Sequence, residues 1–429
     1  MSRRSLLLTG GTLGLATPGL SLRTLASRGQ RDEQNETNPN TDSLQDARQD
    51  SSLQKLTPSD GDDNNFFGYS VATSGNTALI GASWNDDRGD HSGSAYIFRF
   101  DGCQWVEEQN LTASDGTTDD GFGTSVAISG NTAIVGAPGD DDNGEHSGSA
   151  YVFRFDGCQW TEEQKLTASD GTAYDIFGVS VAISDGVALI GASDDYDNRN
   201  RSGSVYVFQF DGSQWTEEQK LTPYDGTAYD GFGHRVAISA DVALIGAYAD
   251  DDNGKNSGAA YVFRFDGCQW VEEQKLTASD GVAYDKFGVS VAVSADVALI
   301  GEYGSDKGDT LGSAYVFRFD GSQWVEVQNL TASDGTAGDK FAHTMALSDN
   351  TALIGAYGDD DSGTDSGSAY VFRFDGSQWT EEQKLTSSEE IANDWFGYSV
   401  AMSDEVALIG AFRDHDNGNN SGAAYVFNL

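Results

Sequence analysis

Cysteine, proline, histidine and lysine are all scarce in this chain, at three, five, five and nine residues among 429. The cysteines, Cys103, Cys158 and Cys268, share one position of a recurring pattern, where other copies carry Ser213, Ser322 and Ser377. Equivalent turns of different copies lie beyond the ~7 Å that a disulfide can span, so the thiols are free. Their odd number and wide spacing also exclude a zinc or dithiol redox site. No window long enough for a helix carries an apolar face at helical spacing, which excludes a helical domain. Basic residues are few as well: 25 against 68 acidic ones, a formal charge of −43. So negative a surface repels a phosphate backbone and excludes nucleic acid as a partner. It suits very salty surroundings, where molar salt screens self-repulsion within about 3 Å and dense carboxylates stay hydrated.

What the chain has in abundance is self-similarity. Phe-Gly recurs at Phe67, Phe122, Phe177, Phe232, Phe287 and Phe396, with Phe341-Ala342 as the sixth copy. The spacing is 55 residues throughout, except 54 before Phe341. Such a period makes the repeat the folding unit, one that buries its apolar faces only against neighbours.

The second copy shows the pattern. Short runs rich in Val, Ile, Tyr, Phe and Thr, separated by turn residues, predict four antiparallel strands. These are A (Thr124–Ser129), B (Thr132–Gly136), C (Ser149–Phe155) and D (Trp160–Thr167). Ser-Gly-Asn or its equivalents join A to B, and Asp-Gly joins C to D, as tight hairpins require. Strands A and B carry almost no charge, whereas D carries Glu-Glu-Gln-Lys, the dressing of an outer edge. Four-stranded sheets graded this way and repeated radially describe an all-β, seven-bladed propeller. Gln54-Lys55-Leu56-Thr57 reads as a strand D without a preceding A, B or C, and Ser421–Leu429 as a strand C without a D. The N-terminal strand is therefore expected to complete the last blade and close the ring.

The residues FGTSVAISGNTAIVGAP of the second copy, with Phe122-Gly123 and Gly136-Ala137-Pro138, resemble the FG-GAP repeat. That repeat builds the integrin alpha-subunit head and many microbial secreted proteins, and the resemblance covers Leu53 to Leu429. It implies an integrin alpha-like propeller of the kind found in secreted haloarchaeal-type proteins. Calcium-binding members carry Asp-x-Asp-x-Asp-Gly between strands A and B. Here that connection has shrunk to Gly130-Asn131 and its equivalents, so the family's calcium site transfers to no residue.

Residues 1–26 resemble a twin-arginine export signal, with Arg3-Arg4 before a Leu- and Gly-rich stretch and a cleavage site after Ala26. Residues 27–52 read as a polar disordered linker, and 53–429 as the propeller. Asn35, Asn110, Asn200, Asn329 and Asn419 head glycosylation sequons.

Strand direction puts the D–A and B–C loops on one face and the tight turns on the other, so both acidic loop sets share a rim. Four B–C loops gather carboxylate and amide oxygens before a glycine, as calcium requires. Their candidate ligands are Asp140, Asp142 and Asn143; Asp250, Asp252 and Asn253; Asp359 and Asp361; and Asp414, Asp416 and Asn417. The same residues also read as solvated turns, because the first ligand position falls on Gly139, Ala249 or Arg413. The aspartates two residues before each Phe, such as Asp120, are expected to accept backbone hydrogen bonds. The Trp residues opening strand D are expected to pack between blades.

An active site breaks symmetry, and three candidates for ligand contact do so: Trp84 in the first B–C loop, Glu302 in the fifth copy and His343 in the sixth. No nucleophile elbow, phosphate loop or zinc-spaced His cluster appears, so no catalytic residue is assigned. The reading is a monomeric, exported cell-surface propeller that binds a protein or glycan through its loops, without membrane insertion. A glycan- or phosphodiester-cleaving hydrolase or lyase, and a structural envelope component, are the alternatives.

Overall fold

In the second repeat, Ser125–Ser129, Thr132–Ala137, Ser149–Phe155 and Trp160–Leu166 form the strands, paired in that order. Thr132–Ala137 is buried along its whole length, whereas Trp160–Leu166 alternates exposed and covered residues. Burial is greatest at the second strand: the innermost strand is partly open to the central channel, and the charged outer strand is partly open to solvent. The computed structural model describes residues 53–196, 201–303, 311–389, 391–403 and 406–429. The export signal, the linker, Asn35 and Asn200 lie outside the described residues.

Seven such four-stranded antiparallel sheets make up the propeller. The last blade is composed of Ser399–Ser403, Val406–Ala411, Ala423–Asn428 and, as its outer strand, Leu53–Leu56. Leu53 pairs with Phe427 and Leu56 with Ala424, so the ring closes as the sequence predicts. Among the described residues no helix is long and apolar enough to cross a membrane.

Hydrophobic clusters form between blades rather than within them. Phe122 is fully buried between Leu79, Ala95 and Ile97 of the first blade and Val135, Tyr151 and Trp160 of its own. The ring of Tyr151 meets it edge-on at 5.5 Å, a favoured aromatic geometry. Gly123 follows with φ 91°, and a Cβ there would lie 2.3 Å from the carbonyl oxygen of Ser94. The Phe plugs the seam and the Gly lets the neighbouring backbone approach.

Polar latches repeat around the ring. Ser125 Oγ donates to Gly178 O of the next blade at 2.7 Å, and Ser70, Ser180, Ser290 and Ser399 do the same. On the outside, Gln109 holds both the N–H and the C=O of Trp160 in the following blade, at 2.8 and 2.7 Å.

Candidate functional site

The two faces differ. At the tight-turn end, a ring of serines, among them Ser74, Ser239 and Ser403, surrounds a polar opening of about 350 Å³. Those hydroxyls accept turn N–H groups of adjacent blades, as Ser74 Oγ does from Gly130 at 3.1 Å, so they are used by the scaffold. The loop end opens into a cavity of about 420 Å³ lined by Tyr69, His234, Arg235, Tyr303, His343 and Tyr398 among others. Its volume lies within the ~300–1,000 Å³ of ordinary ligand pockets.

Aromatic residues form a continuous arc around this mouth. Trp84 stacks on Phe66 at 4.6 Å, Phe66 meets Phe412 at 5.0 Å, and Phe412 meets Tyr398 at 4.5 Å. Tyr398 lies 4.8 Å from His343, whose Nδ1 is 2.6 Å from the Tyr303 hydroxyl. Trp395 and Tyr357 join behind, and Arg413 lies 3.6 Å over the Trp395 ring. Two symmetry-breaking residues picked from the sequence, Trp84 and His343, thus belong to one surface. Trp84 is 44% exposed, while His343 is buried.

Three positions of the repeat supply the arc: the residue before Phe, the residue after Phe-Gly and the residue after Gly-Ala. In blades two and three they hold Gly121, Thr124, Pro138, Ile176, Val179 and Ser193, whereas from blade four round to blade one every blade places at least one aromatic ring there, beside Gly231, Lys286, Val289, Lys340 and Ser83. Phe66 and Trp395 adopt φ 57° where blades two and four have glycine. The same left-handed φ recurs at Ile176, Lys286 and Lys340, so the conformation belongs to the repeat and what changes at Phe66 and Trp395 is the side chain it carries. Reading down these columns would have found Tyr69, Tyr398, Phe412 and Trp395.

Both imidazoles of the mouth are uncharged. Burial, reinforced by Arg235 and Lys340, pushes His343 down to about 3, and burial with Arg235 pushes His234 well below its usual range. Neither changes protonation near neutrality.

Glu302 stands apart from the cavity. It is buried at the end of strand B beside Tyr315 and Ser313, and its Oε2 has no hydrogen-bond partner among the described residues. Burial, then the charge of Asp285, raises its carboxyl to about 7.

The acidic loops resolve into a repeated clasp. Lys165 of strand D donates to Asp115 and Asp140 at 2.8 Å each and to Asp142 at 2.6 Å. The Tyr151 hydroxyl donates to Asp115 and Asp140 at 2.8 and 2.9 Å. Burial opposes charge on Lys165, but its three carboxylates win and raise the ammonium above its usual range. Lys275 holds Asp225, Asp250 and Asp252 in the same way, and Lys384 holds Asp334, Asp359 and Asp361. Lys55 of the closing strand holds Glu389, Asp414 and Asp416.

Two of these groups, Asp334–Asp359–Asp361 and Glu389–Asp414–Asp416, bring carboxylate oxygens within 4.8 Å of one another and could hold a metal ion. In each, a lysine ammonium already contacts all three acids. Asn143 enters its loop's network through its backbone N–H, which donates to Ser147 Oγ at 3.2 Å. Asn143, Asn253 and Asn417 are themselves exposed.

Blades one and five vary the clasp. Asn110 and Asn329 replace the lysine. In blade one Asn85 also replaces the buried aspartate, and Asn110 donates to Asp60 and Asp87 at 3.1 and 2.8 Å. Removing the cation together with the buried anion keeps the interior neutral.

The aspartates before Phe serve the turns. Asp120 accepts the Thr117 N–H at 2.7 Å and its hydroxyl at 2.9 Å, and Asp175, Asp230 and Asp339 take the same two donors from their threonines. Asp394 differs: it is buried, neither oxygen has a hydrogen-bond partner among the described residues, and His415 Nδ1 lies 3.6 Å away.

Compared with known families, the chain matches the FG-GAP repeat at residues 51–98, 105–153, 160–208, 215–263, 270–317, 324–372 and 379–427. Each match runs from strand D through strands A, B and C of the following blade, and the first contains the closing strand. No curated protein matches the chain significantly.

Proposed function

Because the chain belongs to the FG-GAP repeat family, we propose that it is a cell-surface binding and adhesion module whose ligand enters the aromatic mouth of the channel. FG-GAP repeats typically occur in extracellular or cell-surface proteins, and the family is generally non-enzymatic. The twin-arginine pattern of residues 1–26 supports export of the folded ring, and −43 of charge supports a saline exterior.

The observation that carries the reading is the arc itself. The scaffold repeats the same small residues where only packing is needed, yet one side of one rim is aromatic and partly exposed. Aromatic faces of this kind supply binding area with little loss of conformational freedom. The neutral imidazoles favour binding over turnover. The lysines act as internal cations for the acidic loops, so calcium would have to compete with them.

The test is a glycan array and a pull-down from envelope extract, both in high salt, with wild type and Tyr398→Ala. Capture by wild type that fails with the variant is expected. Equal capture by both would refute the mouth as the site, and release of a cleaved product would show an enzyme.

A further inference from the structure

Arg235 occupies the position at which blades one, two, three, five and seven carry the latch serine. Its blade thereby gives up the hydroxyl that would bridge to the next blade. The guanidinium lines the cavity instead, and its charge bears on Tyr303, His343 and Tyr398 across the mouth. It donates to the carbonyl of His234 at 3.0 Å. Among the described residues it has no carboxylate partner. Other arginines of this acidic protein do: Arg99, Arg154, Arg264 and Arg373 each pair with a glutamate of the adjoining strand D.

A half-buried guanidinium among aromatic rings and neutral imidazoles is costly without a counter-charge. The rim adds further positive charge. Lys340 lies 5.5 Å over Tyr303, and Arg413 lies over Trp395. Asp365 on the rim feels both and pairs with neither. The phenols Tyr69, Tyr303 and Tyr398 line the same cavity as Arg235. A guanidinium with hydroxyl donors is the recognition set for a carboxylate. The surrounding aromatic faces would stack on the apolar side of a ring.

Building on the mouth as the binding site, we propose that its ligand is an acidic sugar at the end of a glycan, its carboxylate seated on Arg235 and its ring against Tyr398 and Tyr69. The rest of that glycan is neutral. The carboxylates outside the mouth repel a polyanion, so only a single terminal charge reaches the arginine without crossing a negative rim.

Calorimetric titration with four probes tests this: an oligosaccharide ending in glucuronic acid, the same one ending in glucose, a polyuronate, and a neutral peptide with a free C-terminal carboxylate. The glucuronate-ended probe is expected to bind most tightly. Arg235→Ser restores the residue of the other blades and should melt no lower than wild type. It is expected to weaken the glucuronate-ended probe ~10- to 100-fold, down to the level of the glucose-ended one. Equal binding of that probe by wild type and Arg235→Ser overturns the proposal, as does tighter binding of the polyuronate or the peptide. Glucose-ended binding that Tyr398→Ala abolishes and Arg235→Ser spares overturns the charge assignment but keeps the mouth as the site. Binding of every probe untouched by either variant overturns both.

Discussion

Lys165→Asn probes what the acidic loops are for. The substitution removes an ammonium that contacts three carboxylates, of which Asp140 is 5% exposed while Asp115 and Asp142 are 46% and 63% exposed. Stripping one partner from a buried pair costs ~3–5 kcal/mol, whereas the two exposed acids, screened by water, add ~0–1 kcal/mol each. Tyr151 still donates to Asp140 and softens the loss. The net cost expected is ~2–4 kcal/mol of folding stability. Adding Asp140→Asn should recover at least half of it, because the first blade already folds with Asn85 and Asn110 at these positions. Denaturant unfolding of both single variants and the double at one fixed salt concentration measures the cycle. A Lys165→Asn cost below ~0.5 kcal/mol, within the range of neutral surface changes, would refute the clasp. So would a second substitution that adds to the loss instead of relieving it.

Three further outcomes are expected. Burial first, then the charge of Asp414, raises Asp394 to about 7 from its ordinary 3.8. The folded state therefore holds a proton that the unfolded chain releases, and stability falls as pH rises between those values. Asp394→Asn should gain on wild type by up to ~1.4 kcal/mol per pH unit across that window; a pH-independent difference in melting would contradict this. Calcium should stabilise wild type little, whereas Lys384→Gln, which frees Asp334, Asp359 and Asp361, should gain a calcium-dependent rise in melting temperature; equal calcium responses would show that the lysine is not the internal cation. Ala342 holds φ 65° where the other copies have glycine. Ala342→Gly should stabilise by ~0.5–1 kcal/mol, the strain relieved less the freedom glycine gains when unfolded, and destabilisation would count against strain at that seam.

The fold was legible because every copy faces the same burial problem and solves it with the same residues. Phe122 and Tyr151 recur at one register in all seven copies and Trp160 in six, so the seam between blades is written over and over in the chain. The clasp was not legible. Lys165 lies 25 residues from Asp140 and 50 from Asp115 along the chain. Read alone, the loop acids looked like calcium ligands or solvated turns. The signal was joint variation: Asn110 and Asn329 replace the lysine in the copies that also lose the loop aspartate, to Asn85 and to Ser305. Of Ser305 only the sequence position is known here, since it lies outside the described residues.

The binding mouth was legible in part. Trp84 and His343 stood out because each breaks a column abruptly. Tyr69, Tyr398 and Phe412 did not, since each is an ordinary variant at a tolerant position and only ring closure brings blade one beside blade seven. Arg235 was passed over because a lone Arg in a strand reads as surface charge, whereas at this position it replaces an inter-blade latch. Glu302, equally odd in sequence, lies buried within its own blade near Tyr315, in a copy that lacks the lysine.

The central claim is that ligands meet this protein at the aromatic mouth. Amide hydrogen exchange, with and without ligand captured from envelope extract, tests it most directly. Protection is expected at residues 66–70, 341–346 and 395–400, with no change at the turns around Ser74, Ser239 and Ser403. Protection confined to those turns or to the outer D strands, with the mouth unchanged, would contradict it.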